Sequence, residues 1–84
     1  MWLDRFDKNS TVVTGRKQTL RAIRNGQTET VFIAKDAQQE LIGEIEAACK
    51  AVGIRCQYAD RMRQLGAAAG IRVGASACAV LSIT

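Results

Sequence analysis

Apolar positions along the chain switch repeatedly between a strand-like and a helix-like spacing. Thr11-Val12-Val13-Thr14 is a short β-branched run and reads as a strand. From Arg16 the spacing becomes helical: Leu20 and Ile23 point one way, Lys17, Arg21 and Arg24 another, and Gly26 supplies a stop. Thr30 to Ala34 is an apolar run without alternation, as in a central strand covered on both faces. Ala37, Leu41, Ile42, Ile45, Ala48, Cys49 and Val52 then recur at helical spacing up to Gly53, while Glu40, Glu44 and Glu46 keep to other positions. Asp36, with Gln39 three residues on, reads as the cap of that helix.

Ile54 to Tyr58 alternates, as a strand near a sheet edge does. Asp60 is placed to cap a third helix in which Met62, Leu65 and Ala69 pack inward, Gly66 allows close approach, and Gly70 ends the run. The loop Ile71-Arg72-Val73-Gly74 leads into a last strand, Ala77 to Ile83. Ahead of all these, Trp2, Leu3 and Phe6 give a short helix an apolar edge that closes over a sheet. Strands alternating with helices predict a sheet covered on both sides, an α/β/α sandwich. With 84 residues, the chain forms one domain and not two.

Composition narrows the function. A net charge of +4 and a sequence pI near 9.3 favour an anionic partner, nucleic acid first. Histidine is absent, which removes the commonest general base and metal ligand and makes an enzyme the weakest expectation. The three cysteines have no CxxC spacing, so we expect neither a disulfide framework nor a zinc site, and no cofactor. The start MWLDRFDKNS lacks the apolar core of a secretory signal, and the apolar stretch Val73 to Ile83 is too short to span a bilayer. We therefore expect a cytoplasmic protein that does not enter a membrane, and a monomer.

The candidate site follows from Thr14 to Gly26, TGRKQTLRAIRNG. Gly15 at the strand-to-helix junction lets another molecule approach the backbone. Arg16, Lys17, Arg21 and Arg24 follow with no acid between Asp7 and Glu29. A helix start carrying these charges, together with Gln18, suits a phosphate or an electronegative base edge. The same residues are equally those of a solvated amphipathic helix. No GxxxxGK[ST] loop occurs, and Gly15 is not followed by the glycines of a dinucleotide loop.

Two motifs in this order, G-R-K-Q-T-L-R after the first strand and L-G-A-A-A-G-I-R-V-G-A before the last, with A-K-D-A between them, resemble the kink-turn RNA-binding family of ribosomal proteins. The resemblance runs from about Thr11 to Ile83. It implies a four-stranded mixed sheet within the α/β/α sandwich, and as partner a sharply bent RNA with tandem sheared G·A pairs. It also implies roles: Gly15 as the glycine whose backbone approaches RNA, Lys17 and Gln18 as the pair reading guanine edges, and Arg21 as a basic contact. Ile71, Arg72, Val73 and Gly74 match the loop that packs against an extruded nucleotide. The Lys-Gln pair departs from the Asn-Glu common in archaeal and eukaryotic members, which removes a charged acceptor for guanine. Arg16 joins the set by its place beside Gly15. For Lys35, contact with RNA and simple solvation remain open. Ile71 and Val73, taken singly, also read as core at a strand entrance, and Arg61 and Arg63 read as the exposed decoration of their helix. The alternative function is a protein-interaction module, whose helix of Glu40, Glu44 and Glu46 would meet a basic partner.

Overall fold

In the computed structural model, residues 11–81 are described. Seven elements follow in order: β1 (Thr11–Thr14), α1 (Arg16–Arg24), β2 (Thr28–Ala34), α2 (Gln39–Val52), β3 (Arg55–Ala59), α3 (Met62–Ala68) and β4 (Ala77–Leu81). The expected helix around Trp2, Leu3 and Phe6, and the last residues of the final strand, lie outside the described residues.

The four strands form one mixed sheet in the order β1-β4-β2-β3. β4 runs antiparallel to both β1 and β2, and β2 pairs parallel with β3. β3 is thus at an edge, as its alternation predicts, while β2 is central, as its unbroken apolar run predicts. The pleat divides the core between two faces. Val31 and Ile33 of β2 and Ala77 and Ala79 of β4 face Leu20 and Ile23 of α1 and Ile45 and Cys49 of α2. Phe32, Ala34 and Cys78, on the opposite face, meet Leu65 of α3. With α1 and α2 on one side and α3 on the other, the architecture is the expected three-layer α/β/α sandwich.

Two expected caps are corrected. Asp36 does not open α2, whose N-cap is Gln38; its Oδ1 instead accepts the Met62 N–H of α3 at 2.7 Å. Asp60 does not cap α3 either. The N-cap there is Arg61, whose backbone N–H donates to Gln64 Oε1, and Asp60 pairs with Lys35 at 3.4 Å. Both corrections have one cause: the β2–α2 and β3–α3 loops lie side by side, so each acid finds its partner on the neighbouring loop. Val52 is a smaller departure, because at the last turn of α2 it is exposed and not packed.

Candidate nucleic-acid interface

Hydrogen bonds across one end of the sheet assemble the site. The Gly15 N–H donates to the Ala77 carbonyl at 2.9 Å, the Ala34 N–H to the Ser76 carbonyl at 2.9 Å, and the Lys35 N–H to the Ala59 carbonyl at 2.8 Å. These bonds bring the start of α1, the β2–α2 loop, the β3–α3 loop and the α3–β4 loop to the same end. Gly15 has φ +96°, a conformation that a residue with Cβ adopts only with strain, and no atom lies within 4 Å of where a Cβ would stand. The α1 N-terminus has no side-chain cap and no acid in its first turn. Among the described residues no side chain therefore accepts from its first amides, as an anion site requires.

Lys17, Gln18, Arg21 and Arg24 are exposed along α1, while Thr19, Leu20, Ala22 and Ile23 are buried. A groove of about 460 Å³ runs along this face, lined by Arg16, Lys17, Leu20, Arg21, Arg24 and Asn25. Among the described residues, Lys17 and Arg21 have no ion-pair partner. Arg16 differs. Its guanidinium grips Glu44 of α2 through Nε at 2.5 Å and Nη2 at 2.9 Å. The two groups hold each other charged: Arg16 is pushed above its ordinary value by its bond to Glu44, and Glu44 is held below its own chiefly by that same bond. Of the four expected α1 cations, Arg16 is thus the one already partnered.

The second motif forms the facing loop. Gly66 is buried in α3, and a Cβ there would come within 2.0 Å of the Val73 carbonyl oxygen, so only glycine lets the loop settle on the helix. The Ala75 N–H donates to the Met62 carbonyl at 3.0 Å and pins the other end. Within the loop the two readings of the apolar residues separate. Ile71 packs against the core beneath α3, whereas Val73 is 70% exposed at the tip, flanked by exposed Arg72 and Gly74. Lys35 is also exposed, with its ammonium near Asp60.

Arg61 and Arg63 lie outside the two motifs, on the exposed side of their helix as expected. Both are exposed and, with Asp36, Met62 and Gly74, line a cleft of about 510 Å³ beside the Val73 loop. They stand at the start of α3, just after β3 ends at Ala59, on the side of the sheet where the loops converge.

The three cysteines are free, and no three His, Cys, Asp or Glu residues cluster as a metal site among the described residues. Burial pushes the Cys49 and Cys78 thiols up to about 12, which keeps both protonated and unreactive at neutral pH. No helix among the described residues is long and apolar enough to cross a membrane.

Fold and site define a class: a small α/β/α sandwich presenting a basic helix start and an apolar-tipped loop at one end of a mixed sheet. The chain belongs to the ribosomal protein L7Ae/L30e/S12e/Gadd45 family, whose model matches residues 2–84. It is 45% identical over 67 residues to an RNA-binding protein of Caldanaerobacter subterraneus, an alignment covering 80% of this chain and 82% of that protein. It is 39% identical over 70 residues to the RNA-binding protein YbxF of Geobacillus stearothermophilus, covering 83% of this chain and 85% of the relative. Among solved structures, the 15.5 kD RNA-binding protein of Giardia lamblia superimposes with a TM-score of 0.80 at 23% identity, over 86% of this chain and 61% of that one. That likeness speaks to the fold.

Proposed function

We propose that this protein binds RNA and recognises the kink-turn, acting by binding and not by catalysis. The observation that carries the reading is the pairing at one sheet end of an uncapped, cation-bearing helix start with a loop whose exposed tip is Val73. Relatives of nearly the same length are named RNA-binding proteins. A distorted RNA exposes base edges and faces that a regular duplex hides. Lys17 donates to purine acceptors, the Gln18 carbonyl accepts from a guanine amino group, and Arg21 meets a phosphate. Val73 covers an unstacked base, and Gly15, Arg72, Gly74 and Lys35 complete the contact surface. Arg16 enters only where RNA draws it from Glu44. The protein works as a cytoplasmic monomer, and the ribosome is one setting for such an RNA.

A basic protein partner finds less to hold on α2, because Glu44 is engaged by Arg16 and Glu46 accepts from the Tyr58 hydroxyl. The test of the site is substitution. Lys17→Ala, which loses a base contact, should weaken binding to a kink-turn RNA by about 1–3 kcal/mol, and Arg21→Ala, which loses a phosphate contact, should weaken binding to kinked and control RNA alike and lower the salt slope by about 1, with the thermal melt unchanged in both because the side chains are exposed. Undiminished binding in both variants would remove α1 from the interface.

A further inference from the structure

We infer that Arg61 and Arg63 form a second phosphate-contacting surface, which holds the RNA arm leaving the bend on the β3 side. The inference rests on the RNA-binding reading above and extends it to residues outside that site. α1 starts from β1 and α3 from β3, at opposite edges of the sheet but at the same end of it. Three strand spacings separate those edges, roughly 14 Å. The two helices also lie on opposite faces. A straight RNA lying along α1 passes away from α3, whereas a bent one can reach both helix starts around the Val73 loop between them.

The charge is there to be used. Arg61 and Arg63 are exposed and line the cleft beside this loop, with one carboxylate, Asp36, in its lining, while exposed Arg72 stands in the loop itself and Lys35 and Asp60 pair with each other on the adjoining loops. Neither acid is idle: Asp36 accepts the Met62 N–H and Asp60 pairs with Lys35. Among the described residues no acid pairs with Arg61, Arg63 or Arg72, so their guanidinium groups remain for phosphates. The base of the surface is fixed. Asp36 ties the β2–α2 loop to the start of α3, Gly66 seats the Val73 loop on that helix, and the Ala75 to Met62 bond closes the far side. The guanidinium groups therefore project from an ordered floor. Such contacts add affinity and register but no base preference.

The experiment measures the salt dependence of binding for the unaltered chain, an R61Q/R63Q variant and an R61K/R63K variant. Each is titrated into kink-turn RNAs with both arms long, or with either arm cut short in turn, and into a control RNA whose G·A pairs are Watson–Crick. For R61Q/R63Q on the long-armed RNA, the slope of log K against log salt should fall by about 2, so that the loss of affinity grows by roughly 50- to 100-fold for each tenfold lowering of salt. The lysine pair should restore the slope. The loss should disappear when one particular arm is shortened and persist when the other is. An unchanged slope, or a loss indifferent to both arms, overturns the second surface while leaving the α1 site standing. Equal binding of kinked and control RNA by the unaltered chain would instead overturn the reading on which it rests.

Discussion

Arg16 shows how position and availability part at the level of a single residue. It sits beside Gly15 at the helix start, yet its guanidinium is spent on Glu44, 28 residues away. No local pattern in the sequence could announce that pair, because it depends on α1 and α2 lying side by side over the same sheet face. Lys17 and Arg21, on the outer side of the same helix, stay open, and there the helical period was a sufficient guide. The pair has a pH signature. Glu44 titrates below its ordinary value of 4.5, so what the pair contributes is present above that range and is lost as pH falls through the lowered value. In an Arg16→Gln variant the Glu44 carboxyl, followed by NMR, should titrate higher, back toward 4.5, because its bonding partner is gone. An unmoved titration would mean that the pair does not form in solution.

Helices and strands were largely legible from the spacing of apolar residues, and the central place of β2 and edge place of β3 followed from whether their runs were unbroken or alternating. Helix starts were less legible. A cap is chosen by which amide is within reach, and Asp36 reaches Met62 of α3 across a loop boundary that the sequence does not display. Gly66 is the opposite case, since close approach was expected there and the Val73 carbonyl occupies the space. Backbone cannot move aside as a flexible side chain does, so Gly66→Ala should destabilise the fold by at least about 1–3 kcal/mol in a denaturant titration and disorder the Val73 loop. Wild-type stability in that variant would show that the loop does not rest on α3. Whether Ile71 or Val73 would be buried was open in the sequence. It was decided by where the chain leaves α3, which turns Ile71 under the helix and leaves Val73 at the tip.

At the scale of the whole molecule, the proposed function depends on convergence. The crossing order β1-β4-β2-β3 brings four junctions to one sheet end, so residues from 15 to 74 in the chain share one surface. The sequence motifs mark the α1 start and the Val73 loop as the proposed contact surface, whereas the position of Arg61 and Arg63 beside Gly74 of that loop is visible only in the folded chain. The proposed function requires that this end recognise a bend and not merely charge. It is tested most directly by titrating the protein into a labelled kink-turn RNA and into a control with the G·A pairs replaced by Watson–Crick pairs, each at two salt concentrations. Tighter binding to the kinked RNA that survives the added salt is the predicted result, while equal binding to both, lost together as salt rises, would contradict it.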